Sequence, residues 1–227
     1  MESSGKLGGK LIVFEGIDSS GKKTQTELLI KKLKREKKKV RTLHFPAYKT
    51  RFGRIIGEYL KGGFGKKEEL SPEIGCLMYA IDRYQFKDIL EKGLKHGIYF
   101  VLDRYTQSNI FQIAKGKKSE RNALLEWLWN IESRLPKANA VVFLDVNPEI
   151  ARKLLKKRKT KIKLKGKNRR DIHEEDIKFQ GTVRGVYLDV AKKRKWIVVN
   201  CYKKDEMRTK EEIGNDVYKK LKNTKII

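Results

Sequence analysis

The chain is poor in cysteine, in acidic residues and in long apolar runs, and each shortage removes a class of protein. Two cysteines in 227 residues, Cys76 and Cys201, form no C-x-x-C pair and have no neighbouring histidine cluster. Neither a disulfide framework nor a zinc site is therefore expected, and a reducing, cytoplasmic setting is the natural fit. No apolar run reaches the length of a membrane span, and Met1 to Gly5 lack the apolar core of a signal peptide. Residues 1–9 read as a flexible leader. Acidic residues number 28 against 55 Lys and Arg, a formal net charge of +27. That excess is compatible with nucleic acid, because clustered basic residues release counterions from phosphate backbones. Here, however, the lysines and arginines are spread over residues 31–39, 66–67, 156–170, 192–195 and 219–225 rather than gathered into one stripe with interleaved aromatics. Solvated faces account for such blocks better, and a nucleic-acid partner is not expected.

What the sequence does contain is a repeated alternation of short apolar runs with helix-period segments, the pattern of parallel strands joined by crossover helices. Four runs are clear, Leu11 to Glu15, Tyr99 to Asp103, Ala140 to Asp145 and Trp196 to Asn200, and a weaker one spans Val40 to Phe45. Each is short and rich in β-branched or aromatic residues, as a sheet buried on both faces requires. Helices are expected over Lys22 to Lys37, Phe52 to Leu60, Pro72 to Lys92, Glu120 to Ser133, Pro148 to Lys159, Glu174 to Lys193 and Thr209 to Leu221. Ser71-Pro72-Glu73 and Asn147-Pro148-Glu149 supply an N-cap followed by Pro at the first helical position. With no internal repeat and no linker, residues 10–227 read as a single α/β domain. The stretch Lys156 to Arg170 has little apolar content and reads as a mobile surface segment.

Gly16-Ile17-Asp18-Ser19-Ser20-Gly21-Lys22 has the spacing G-x-x-x-x-G-K, directly after an apolar strand and at the start of a helix. That is the context a phosphate-binding P-loop needs. The glycines allow a tight turn whose N–H groups point inward at phosphate oxygens, and the helix N-terminus adds partial positive charge. Ser19, Ser20, Gly21, Lys23 and Thr24 complete the candidate ATP site, and Lys22 is placed to reach the β- and γ-phosphates. The Ser or Thr that ordinarily follows the lysine and ligates magnesium is Lys23 here, with Thr24 one step later.

Asp18 inside the loop, followed by Lys22-Lys23-Thr24-Gln25, resembles the thymidylate kinase family. Further segments match in order: Phe45-Pro46-Ala47-Tyr48 with Gly53 to Leu60, Tyr79-Ala80-Ile81-Asp82-Arg83, and Asp103-Arg104-Tyr105 with Ser108 and Asn109. The resemblance implies a P-loop NTPase fold, three-layer α/β/α with a five-stranded parallel sheet and a basic lid over about residues 156–172. It implies ATP-dependent phosphorylation of dTMP to dTDP, with magnesium as cofactor and a homodimer as the assembly. Asp18, Lys22 and Arg104 would be catalytic, and Asp103 would hold magnesium through water. Phe45, Tyr48, Tyr79, Arg83, Arg104, Ser108, Asn109 and Gln112 would line the acceptor site with Asp18. Tyr79 and Arg83, four apart, would share a helix face. Some members carry arginine in the loop where this chain has Ser19 and Ser20, so the compensating cation is sought among Arg158, Arg169 and Arg170 of the lid. Phe111-Gln112 falls one residue before the family's usual position. A kinase for another monophosphate or a deoxynucleoside, and a P-loop protein acting on nucleic acid, are the competing readings.

Overall fold

A strand that is apolar on both faces is stable only between two layers of helix, and that requirement sets the architecture. The computed structural model describes residues 8–65, 70–163 and 176–227. In it β1 (Leu11–Glu15), β2 (Val40–Arg41), β3 (Tyr99–Asp103), β4 (Ala140–Asp145) and β5 (Ile197–Asn200) form one parallel sheet in the order β2-β3-β1-β4-β5. Every residue of β1, β3 and β4 is buried. Side chains alternate across β1: Ile12 and Phe14 join one apolar cluster, Leu11 and Val13 the other. The expected three-layer arrangement is present.

Around the sheet lie α1 (Lys22–Arg35), α2 (Arg51–Leu60), α3 (Pro72–Tyr84), α4 (Lys87–Lys95), α5 (Ile110–Ile113), α6 (Arg121–Ile131), α7 (Pro148–Lys163), α8 (Ile177–Lys193) and α9 (Lys210–Asn223). Capping follows the sequence signals. Ser71 Oγ accepts from the Ile74 N–H, Asn147 Oδ1 from Glu149 N–H, and Thr209 forms a reciprocal capping box with Glu212. After β1 the chain crosses to one side of the sheet, and after β3 it crosses to the other. The carboxyl end of β1 therefore opens onto a crevice at the switch point, where ligands of such sheets bind.

Four expectations change. The helix expected over Pro72 to Lys92 is two helices, α3 and α4, because Gln85 and Phe86 are held by one local and two tertiary contacts. Gln85 Nε2 donates back to Asp82 Oδ1 (2.7 Å) and across to Thr50 Oγ1 (3.2 Å), and the Phe86 ring meets Phe45 edge-on at 5.5 Å. The strand expected over Val40 to Phe45 keeps full pairing only at Val40–Arg41. Beyond it the Thr42 hydroxyl donates to the Val101 carbonyl at 2.7 Å, a cross-strand side-chain bond in place of a ladder bond, and pairing resumes at His44 opposite Asp103. Helix α7 runs to Lys163, four residues beyond the expected end at Lys159. A two-stranded hairpin, β6 (Tyr202–Lys203) and β7 (Glu206–Met207), follows β5, and its Lys204-Asp205 turn carries none of the glycine signals that mark hairpins. Both cysteines are buried and free, and burial pushes each thiol up to about 12.

Candidate active site

The loop between β1 and α1 is shaped by its first glycine. Gly16 has φ +151°, and a Cβ there would lie 2.6 Å from Ser20 Oγ and 2.8 Å from the Leu144 carbonyl oxygen, so no larger residue fits. Lys22 is buried and folds back over the loop, its Nζ donating to the carbonyls of Ile17 (2.7 Å) and Gly16 (3.0 Å) and to Ser20 Oγ (3.4 Å). Burial, with the nearby Arg104 charge, brings its ammonium down to about 8, against the opposing pull of Asp18, Asp103 and Glu15. The protonated form is the one that attracts phosphate. The apparent kcat/KM for ATP is accordingly expected to fall as pH rises through about 8, approaching a tenfold loss per unit beyond it. A profile flat to well above that value would contradict this placement of Lys22.

At the end of β3, Arg104 adopts a left-handed backbone, φ +71°, unusual for a residue with a side chain. Two hydrogen bonds to β1 pin that turn: the Arg104 N–H donates to the Phe14 carbonyl (3.0 Å) and the Tyr105 N–H to Glu15 Oε1 (2.9 Å). The guanidinium is thereby aimed at the phosphate loop, where it forms an ion pair with Asp18 Oδ1, approaches Ser108 Oγ (3.4 Å) and lies over the Phe111 ring at 5.0 Å. Burial disfavours its charge, but Asp18, Glu15 and Asp103 more than compensate and hold the guanidinium above its ordinary value.

Glu15 is the site residue that reading the sequence missed. Its carboxylate closes an otherwise apolar strand and also accepts from Ser108 Oγ (2.7 Å) and the Tyr187 hydroxyl (2.8 Å) on Oε2. Burial pushes its carboxyl up, with Arg104 and the three donors pulling the other way. A carboxylate in a fully buried strand next to the loop was the available signal. Gln180 of α8 was missed as well: its Nε2 lies 3.4 Å from Asp18 Oδ2.

Asp103 is nearly enclosed, 7% exposed. Its Oδ2 lies 3.3 Å from His44 Nδ1, while Oδ1 is buried without a hydrogen-bond partner. Burial works against its charge, but the His44 hydrogen bond and the fields of Lys22 and Arg104 outweigh it and hold the carboxyl below its usual range. An orphaned, ionised oxygen beside the phosphate loop suits a hydrated cation. Asp145, the other aspartate ending a strand, is taken by Arg184 in a two-pronged pair at 2.6 and 3.0 Å. The described residues contain no cluster of three or more metal-ligating His, Cys, Asp or Glu side chains. Lys23 and Thr24 are both exposed.

The remaining candidates form an outer group. Phe45 is buried against Phe86 and Tyr105, the Phe45–Pro46 peptide is cis, the backbone N–H of Ala47 donates to Asp82 Oδ2 (2.9 Å), and Tyr48 is exposed. Tyr79 is half-buried on α3. Arg83, 1% exposed, points inward: its Nε donates to Glu132 Oε1 at 2.6 Å and its Nη2 lies 2.5 Å from the same oxygen. Asn109 Nδ2 reaches Glu132 Oε2 at 3.3 Å. Gln112 accepts from the Tyr59 hydroxyl at 3.4 Å. The structure thus brings Asp18, Lys22, Asp103, Arg104 and Ser108 into one cluster, and Arg83 and Asn109 into a second around Glu132. Arg158 lies on α7, whose side chains beyond residue 157 are not described, and Arg169 and Arg170 fall outside the described residues.

A phosphate loop at the switch point, with an arginine clamped to the loop's own aspartate, defines a P-loop phosphotransferase. The chain belongs to the thymidylate kinase family, whose match extends over residues 14–213. It is 31% identical over 224 residues to the thymidylate kinase of Plasmodium falciparum, covering 97% of this chain and 93% of that protein. It is 30% identical over 212 residues to that of Danio rerio, covering 92% and 88%. The solved thymidylate kinase of Candida albicans superposes with a TM-score of 0.76 at 24% identity, over 96% of this chain and 93% of that one, and so shares its fold.

Proposed function

We propose that the chain transfers the γ-phosphoryl group of ATP to a phosphate oxygen of dTMP in the cytoplasm, giving ADP and dTDP. The observation that carries this reading is the Asp18–Arg104 pair, which ties the donor loop to the end of β3. In the step a bond forms between the acceptor oxygen and the γ-phosphorus while the bond to the β–γ bridging oxygen breaks, and ADP leaves. The acceptor is already an anion, so alignment and charge neutralisation carry most of the catalysis and no strong base is needed. Lys22 would neutralise the donor phosphates, and Arg104 would span the transferring group. Magnesium, when bound, would neutralise charge on the donor phosphates, and Asp103 would hold it through water, its unpartnered Oδ1 being the fitting group. Tyr79 and Arg83 would meet the acceptor nucleotide together with Phe45, Tyr48, Ser108, Asn109 and Gln112, and an arginine among Arg158, Arg169 and Arg170 would close over the donor.

A coupled assay of ADP release over a panel of acceptors tests the reading. Turnover of dTMP well above dCMP and thymidine is expected; thymidine or dCMP as the preferred acceptor would overturn it.

Among the described residues no helix is long and apolar enough to cross a membrane. Exposed apolar side chains concentrate instead on the neighbouring helices α2 and α3, where Phe52, Ile55, Ile74, Leu77 and Ile81 all face solvent. Ile74, Leu77 and Ile81 stand at i, i+3 and i+7, one stripe of α3. An apolar stripe of this kind supports a homodimer through α2 and α3. Sedimentation is expected to show a dimer for the native chain and a monomer for Ile81→Asp; an unchanged dimer would exclude this face.

A further inference from the structure

Lys23 occupies the position at which a P-loop ordinarily presents a hydroxyl to magnesium. Its surroundings give it no structural partner. It is exposed, and among the described residues it has neither an ion pair nor a hydrogen bond. Helix α1 starts from Gly21, which supplies no side-chain cap, and its first turn holds no acidic residue. Lys23 therefore sits at the positive end of the helix dipole directly after Lys22, an arrangement that is unfavourable unless an anion is bound there.

The carboxylates nearby are already committed. Asp18 is paired with Arg104, Asp145 with Arg184, and Glu15 accepts from three donors. Among the buried oxygens at the loop and the end of β3, Asp103 Oδ1 and the Ser19 hydroxyl are left unpartnered, so one carboxylate oxygen remains for a divalent cation and no hydroxyl stands directly after Lys22. An uncompensated cation at the phosphate end of the helix and a site poor in metal ligands are two sides of one substitution.

We infer that the Lys23 ammonium binds the donor's phosphate oxygens directly, taking over charge neutralisation that a metal-ligating hydroxyl would otherwise share with magnesium. Nucleotide binding by this chain is then only weakly coupled to the metal. The inference rests on the donor-site reading of Gly16 to Lys22 and specifies how that site balances charge.

Calorimetric titration of ADP, with magnesium and with EDTA, into the native chain, Lys23→Ser and Lys23→Met tests it without any turnover. Losing one ammonium–phosphate contact is expected to weaken metal-free ADP binding by about tenfold in both variants. In the native chain, replacing magnesium by EDTA is expected to change the affinity by less than about threefold, whereas Lys23→Ser regains about fivefold or more when magnesium is present. Lys23→Met, with neither charge nor hydroxyl, stays weak in both conditions. Equal metal-free affinity in the native chain and Lys23→Ser, or the same magnesium ratio in both, overturns the role of Lys23 and leaves the donor site standing. Absence of ADP binding by the native chain in either condition overturns the donor-site reading itself, and Lys23 with it.

Discussion

Arg104→Ala is expected to lower kcat by roughly 10³-fold, the scale of removing a preorganised cation from a developing phosphoryl charge, with a much smaller change in KM for ATP. The size follows from how the side chain is held. Its strained backbone is anchored to Phe14 and, through Tyr105, to Glu15, so the guanidinium needs no reorganisation when the reaction occurs. Lysine is a poor substitute, because an ammonium lacks the planar fork that lets the guanidinium hold Asp18 along one edge while presenting another to a phosphate. Arg104→Lys is expected to recover little of the lost rate. A change confined to KM in steady-state kinetics would mean that Arg104 only assists binding.

Arg83→Met is expected to destabilise the fold by about 3–5 kcal/mol, because it strands the Glu132 carboxylate among buried groups without its cation. Burial already pushes that carboxyl up despite Arg83, which shows how poorly the site tolerates charge. Removing both partners is a different matter. Arg83→Met combined with Glu132→Leu is expected to recover most of the loss, since an apolar pair of similar volume carries no stranded charge. Urea unfolding of the two single variants and the double variant measures the coupling. Additive losses would mean that the pair is not energetically linked. Because Arg83 is also a candidate acceptor contact, its kinetics should be read at a temperature where the variant remains folded.

The central strands were legible because β1, β3 and β4 are apolar up to the carboxylate that closes each, a pattern that fits burial on both faces of a parallel sheet. The phosphate loop was legible because its glycines, lysine and flanking elements are contiguous; Asp103-Arg104 was singled out by its order and spacing in the family resemblance, since Asp145 closes a buried strand as well. What stayed hidden depends on residues far apart in the chain. The Glu132 that pairs with Arg83 is 49 positions away, and the partners of Glu15 reach to Tyr187, 172 positions away, with no local pattern announcing either. Helix α3 ends early for the same reason: Gln85 and Phe86 follow contacts to Thr50 and Phe45 rather than the periodicity of their own segment. Just past β2 the Thr42 hydroxyl takes the place of a backbone ladder bond to β3, an effect that apolar patterning does not register.

The most direct test of the account is to follow the label from ATP carrying a radioactive γ-phosphate when the chain is incubated with dTMP. The account predicts that the label appears in dTDP, in step with ADP formation, and that almost none is released as inorganic phosphate. Label recovered chiefly as inorganic phosphate, or no transfer to dTMP at all, would contradict it.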